Sequence, residues 1–126
     1  MIVVVFGVSG AGKATVGELL ARKLGWNFIE ADDFHPGANI EKMHSGRPLT
    51  DEDRRPWLER LRKRLEQVLS SGENAVLACS ALKRTYRDRL RVNEAVKFVF
   101  LTVELGRTPQ AIVKEIEAKL QLAGSG

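Results

Sequence analysis

The chain predicts an α/β fold with three layers, a parallel sheet of four or five strands covered by helices on both faces. Three observations carry that prediction. Short apolar runs alternate with segments of helical periodicity along the sequence, an order that favours parallel strands joined by crossover helices. The first run, Met1 to Phe6, has no polar position, as expected for a strand buried on both sides. It empties directly into Gly7-Val8-Ser9-Gly10-Ala11-Gly12-Lys13-Ala14 and then an amphipathic stretch, the strand, turn and helix setting of a phosphate-binding loop.

In that loop, glycines at 7, 10 and 12 let the backbone turn with its amides inward, while the next helix offers its positive end and Lys13 a charge for the outer phosphates. Gly7, Ser9, Gly10, Ala11, Gly12, Lys13, Ala14 and Thr15 are therefore the expected contacts of a nucleoside triphosphate, ATP. The pattern G-x-x-x-x-G-K-S/T fails at its last position, where Ala14 stands in place of a magnesium-holding hydroxyl. Thr15 is the nearest substitute, but it is rotated by about 100° around the helix, which puts Mg²⁺ affinity in question.

The other elements follow in order. Thr15 to Leu24 carries Val16, Leu19, Leu20 and Leu24 at helical spacing, with Gly25 placed to end it. Trp26 to Ala31 reads as a strand that the turn residues Asp32 to Gly37 break. Residues 38–45 form a short helix and Ser45 to Leu49 a loop. Thr50 is placed as an N-cap with Asp51, Glu52 and Asp53 in the first turn, and Leu58, Leu61, Leu65, Val68 and Leu69 form an apolar stripe running to Gly72. Pro56 removes a helical hydrogen bond, so the regular helix is expected to start there. Asn74 to Cys79 is a second buried strand, Leu82 to Arg91 a basic helix, and Lys97 to Leu105 one strand or two. Thr108 to Leu122 is the last helix, with Pro109 in its first turn, and residues 123–126 read as a flexible tail.

A length of 126 residues suits a single domain with one sheet and its helices. No apolar stretch approaches a membrane span, and the initial run is too short for a secretory signal, so the expected location is cytoplasmic with no membrane partner. The lone Cys79 sits in a strand interior and reads as core. A net charge of +4 favours anionic ligands without calling for nucleic acid.

Ligands of such sheets gather at the carboxyl ends of strands. Phosphoryl transfer needs neutralised phosphates, a metal, and an acceptor hydroxyl aligned by an acid. Lys13 and the loop amides answer the first need. Glu30 and Asp32, spaced to face the same side of a strand end, answer the others as metal and acceptor carboxylates. His35 is a candidate for a polar substrate, although a turn histidine is more often only exposed. Arg47, Arg54, Lys83, Arg84 and Arg87 suit a carboxylate or phosphate, while Arg60, Arg62, Lys63 and Arg64 spread around their helix as a solvated face.

Taken together the chain resembles the gluconate kinases (gluconokinases), P-loop small-molecule kinases. Gly7 to Lys13 carries the likeness, with His35-Pro36, Asn39, Lys42-Met43, Gly46 and Pro48-Leu49 between Asp32 and Leu49. Asp51 to Leu58, Cys79 to Lys83 and Tyr86-Arg87-Asp88 complete it. The resemblance implies a P-loop kinase-type fold, transfer of the γ-phosphoryl group of MgATP to the 6-hydroxyl of D-gluconate, and a homodimer. It also implies roles: Asp32 orients or deprotonates the acceptor, Glu30 holds the water shell of the metal, and Lys13 bridges phosphates. His35, Arg47, Lys83 and Arg87 line the sugar-acid pocket, with Lys83 and Arg87 as partners of its carboxylate.

The chain departs from the family in three places. Ala14 replaces a serine or threonine, Glu30 an aspartate, and Thr102 to Leu105 join directly to Gly106-Arg107-Thr108-Pro109, where the family has a helix and an arginine-bearing lid. Lids exclude water and complete a catalytic set, so loose nucleotide binding and poor turnover are expected. Two other readings stay open: a non-catalytic or engineered minimal ATP-binding domain, and a nucleic-acid module on the basic helices, which an aromatic content of 6% does little to support.

Overall fold

The computed structural model describes residues 1–7, 12–80, 83–101 and 108–122. Four parallel strands, β1 (Ile2–Gly7), β2 (Asn27–Glu30), β3 (Ala75–Cys79) and β4 (Val96–Leu101), form one sheet in the order β2-β3-β1-β4. The helices are α1 (Lys13–Leu24), α2 (Gly37–His44), α3 (Asp51–Ser70), α4 (Arg84–Leu90) and α5 (Pro109–Leu120), with a 3-10 turn at Ala31–Phe34.

β1 is central, paired with β3 from Ile2↔Ala75 to Phe6↔Cys79 and with β4 from Ile2↔Val96 to Gly7↔Leu101. Its side chains alternate between two layers. Ile2 and Val4 pack with Trp57, Leu61 and Leu65 of α3 and with Tyr86 and Leu90 of α4. Val3 and Val5 pack with Val16 and Leu20 of α1 and with Val113 and Ile116 of α5. Helices close both faces, which is why β1 tolerates no polar residue. Cys79 is buried in the first of these layers, as its strand setting suggested.

Gly7 ends β1 where the chain departs toward the phosphate loop. A Cβ there would lie 2.5 Å from the carbonyl oxygen of Leu101, so only glycine lets β1 and β4 stay paired at this point.

Several boundaries differ from those expected. α1 starts at Lys13 rather than Thr15, and α4 is shorter than Leu82 to Arg91, with Lys83 at its N-cap. α3 begins at Asp51, not at Pro56, because its first turn is held independently of the proline. Thr50 Oγ1 accepts from the Asp53 amide at 3.1 Å and Asp53 Oδ2 accepts from the Thr50 amide at 2.9 Å, a reciprocal capping box. Glu52 and Pro56 are both exposed, a setting in which the loss of the proline's amide costs least because the backbone there is open to solvent. β4 ends at Leu101 and α5 starts at Pro109, with Thr108 Oγ1 accepting from the Ala111 amide. The strand and lid expectations on 102–107 and the tail on 123–126 lie outside the described residues.

Lys42 Nζ also reaches Asp53 Oδ2, at 2.5 Å. That ammonium first, and the Thr50 amide second, hold the Asp53 carboxyl well below its ordinary 3.8, at about 2. A depressed folded pKa contributes stability that is present above the unfolded value and lost as pH falls through the folded one. The difference in thermal midpoint between the wild type and Asp53→Asn is therefore expected to shrink as pH is lowered from about 3.8 to about 2. Thermal melts across that window check it, and a gap that stays constant would show that the carboxylate charge is not its source.

Candidate active site

In a parallel sheet the carboxyl ends of the strands share one edge, and here β1, β2 and β3 open on a cavity of about 540 Å³. Its described lining is Gly7, Lys13, Asp32, His35, Met43, Gly46, Arg47, Pro48, Leu49, Arg54, Trp57 and Ser80. Four candidates from three segments, Lys13, the pair Asp32 and His35, and Arg47, are thus brought together.

Lys13 is the first residue of α1, preceded by Gly12 at φ 80, ψ 29, a left-handed conformation suited to glycine. Gly12 offers no side-chain cap, and the first turn carries no acidic residue. The positive end of the α1 dipole therefore meets no carboxylate of its own first turn, a setting that favours an anion. Ala14 and Thr15 are exposed and do not border the cavity. Ser9, Gly10 and Ala11 lie outside the described residues.

β2 stops at Glu30, and Asp32 belongs to the 3-10 turn rather than to the strand. The two-residue spacing that would set both carboxylates on one face of a strand therefore does not apply to Asp32, although its charge still acts on Glu30. The Asp32 side chain is 70% exposed. Glu30 is half-buried, and burial pushes its carboxyl above the ordinary value, with the Asp32 and Asp33 charges adding to that and the Asp32 amide and Lys13 opposing it. Among the described residues no group of three or more His, Cys, Asp or Glu is arranged to hold a metal. Two carboxylates do suit magnesium, which keeps waters and takes the rest of its ligands from phosphates.

His35 is not the exposed turn histidine that its sequence suggested. It is 8% exposed and stacks on Trp57 with ring centroids 4.7 Å apart and planes 9° from parallel. Trp57 Nε1 donates to the Ala31 carbonyl at 2.7 Å, tying α3 to the turn that carries Asp32. Asn39 Nδ2 lies 3.2 Å from His35 Nδ1 and donates to the Asp53 carbonyl at 2.8 Å. Burial pushes the His35 pKa below its ordinary 6.5, against the pull of Asp32 and with help from Arg54.

Two arginines border the same cavity. Arg47 Nε donates to Ser45 Oγ at 3.0 Å, and Arg54 Nη1 to the Tyr86 hydroxyl at 3.3 Å. Lys83 and Arg87 are not among the lining residues. Lys83 Nζ donates to both oxygens of Asp51, at 2.7 and 2.9 Å, beside a short hydrogen bond from Tyr86 to the same carboxylate, and Lys83 and Tyr86 hold Asp51 below its ordinary value. The Arg87 guanidinium lies 5.3 Å from the centre of the Phe6 ring. Arg54, one of the cations suited to a carboxylate or phosphate, borders the cavity, and Trp57 and Met43 enter the lining without having been singled out as site residues. An aromatic beside the apolar stripe of α3 reads as core, and its only site signal is an indole N–H that needs a partner.

A family model described as "AAA domain" matches residues 2–119. A protein of Xenopus tropicalis named "Probable gluconokinase" is 57% identical over 90 residues, 71% of this chain and 47% of that protein. The gluconokinase of Gluconobacter oxydans is 51% identical over 104 residues, 82% and 58% of the two chains. The crystal structure of a gluconokinase from Sinorhizobium meliloti superposes with a TM-score of 0.72 at 42% identity, covering 93% of this chain and 72% of that one. The chain spans about half the length of the curated relatives it matches. No helix among the described residues is long and apolar enough to cross a membrane. The parallel sheet, the glycine-capped helix behind a phosphate loop and these likenesses agree, and the chain belongs to the gluconokinase family of P-loop proteins.

Proposed function

We propose that the chain transfers the γ-phosphoryl group of ATP to a small sugar acid, D-gluconate, giving 6-phosphogluconate and ADP. The observation that carries this reading is the shared cavity: the phosphate-loop lysine, an exposed carboxylate, a buried histidine and two arginines border one space. In this reading Lys13 and the amides at the start of α1 neutralise the phosphates. Asp32 takes the proton of the 6-hydroxyl as its oxygen bonds to the γ-phosphorus and the bond to the β,γ-bridging oxygen breaks, the electron pair leaving with ADP.

Arg47 and Arg54 receive the carboxylate of the sugar acid. Lys83 and Arg87 are kept as substrate residues on the family likeness, Lys83 by exchanging Asp51 for the substrate. Glu30, through the water shell, and Asp32 would hold Mg²⁺, which supplies further charge neutralisation on the triphosphate when bound. A cytoplasmic location and a homodimer belong to the same reading and rest on the family likeness. Neither nucleic acid nor membrane is a partner in it.

Ala14 favours a second reading, a non-catalytic ATP-binding core, because no hydroxyl stands at that position. Coupled assays separate the two. Gluconate-dependent ADP release supports transfer, whereas saturable ATP binding without release supports the core. Ala14→Ser is expected to raise magnesium-dependent turnover roughly tenfold, the lower end of what an altered metal environment changes. A rate that stays flat in this variant would show that the missing hydroxyl is not what limits the protein.

A further inference from the structure

The surroundings of His35 determine which of its nitrogens carries the proton. Asn39 Nδ2 is 2.8 Å from the Asp53 carbonyl oxygen and 3.2 Å from His35 Nδ1. A carbonyl oxygen can only accept, so turning the amide round would set two acceptors against each other. The NH₂ group therefore faces both neighbours, and His35 Nδ1 must accept. In the neutral ring the proton then sits on Nε2, and Nε2 is the atom that faces Asp32, with Oδ1 3.9 Å away. The charged groups around the ring do not alter this. Arg54 from α3 opposes an imidazolium, as does burial, and Asp32 alone favours it. The Trp57 stack fixes the ring plane.

A separation of 3.9 Å is too long for a direct hydrogen bond, and both side chains border the cavity. The group that satisfies both must donate to Asp32 and accept from His35. A hydroxyl does both, a carbonyl cannot donate, and an ammonium cannot accept. We infer that Asn39 is a positioning residue that locks His35 as an Nε2–H donor, so that His35 and Asp32 together read a hydroxyl of a bound polyol. The identity of that polyol as D-gluconate rests on the function proposed above, whereas the tautomer does not.

Long-range ¹H–¹⁵N correlation spectra of the full chain test the lock, recorded well above the histidine titration range and assigned against His44, the other histidine of the sequence. The wild type is expected to show an unprotonated Nδ1 and a protonated Nε2, and D-gluconate is expected to shift the Nε2 signal. Asn39→Asp places a carboxylate acceptor against Nδ1. It is expected to move the proton to Nδ1 and to lower kcat/KM for D-gluconate at least about tenfold, leaving KM for ATP unchanged.

An Nδ1–H tautomer in the wild type overturns the inference, and that spectrum decides even if Asn39→Asp does not fold. So does an Asn39→Asp protein that switches tautomer and turns over gluconate at the wild-type rate. A wild type with Nε2–H that neither binds nor phosphorylates gluconate removes the sugar-acid reading and leaves the lock standing.

Discussion

Lys13→Ala is expected to lower gluconate-dependent ADP release on the order of 10³-fold, while shifting the thermal midpoint by no more than about 2 °C. The two effects part company because of where Lys13 sits. It is the first residue of α1 and borders the cavity, the place from which a cation meets the charge that spreads over the phosphoryl oxygens in the transition state. Loss of one such stabiliser costs roughly 10²–10³ in rate, and loss of a trans-acting arginine as much as about 10⁵. Folding gains little from the same charge. A cation in the first turn opposes the helix dipole by a few tenths of a kcal/mol, and alanine is at least as good a helix former as lysine. The charge also holds down the Glu30 carboxyl, so the variant should titrate Glu30 at still higher pH. A coupled assay with thermal melts checks the split. Undiminished turnover would mean that the phosphates are bound elsewhere, and a collapse of the midpoint would mean that Lys13 serves the fold.

The features legible in the sequence were those set by neighbours within a few positions. An unbroken apolar run gave away β1 as a strand covered on both faces, glycines at 7 and 12 fall at the end of β1 and at the N-cap of α1, and Thr50 with three acids gave away the N-cap of α3, although Pro56 drew the expected start of the regular helix too far along the chain. What escaped depends on contacts between distant segments. Asp32 leaves the strand because β2 ends at Glu30 and the chain tightens into a 3-10 turn, a choice that acidic turn residues permit but do not dictate. His35 is buried because Trp57, on another helix, lies flat against it. Asn39 looked like a motif position only, yet its partner is a backbone carbonyl of α3, and side-chain identity says nothing about that atom. The family likeness implies a substrate carboxylate for Lys83, and the contact that the sequence does not disclose is the one with Asp51 of α3. Charge type was readable in each case, and the partner was not.

Trp57→Ala is expected to be the most destabilising single substitution in the site, at about 3–5 kcal/mol, the range for removing a buried aromatic from a core. Domains of ordinary size are stable by only about 5–15 kcal/mol, so this change consumes a large share of the margin and should lower the thermal midpoint by roughly 10–20 °C. Three losses coincide: an indole only 2% exposed, its hydrogen bond to the Ala31 carbonyl, and the surface on which His35 lies. Trp57→Phe separates them. A phenyl ring keeps the stack and most of the buried area but removes the indole donor to the Ala31 carbonyl, a cost of about 1 kcal/mol. Since Ala31 opens the 3-10 turn that carries Asp32 and His35 closes it, the alanine variant should also lose gluconate turnover beyond what its unfolded fraction accounts for, with ATP affinity of the folded fraction unchanged. Denaturant melts and turnover at a temperature where both variants stay folded distinguish these effects. Equal loss in the two variants would place the whole contribution in the indole hydrogen bond, and a turnover loss that tracks stability alone would reduce Trp57 to a core residue.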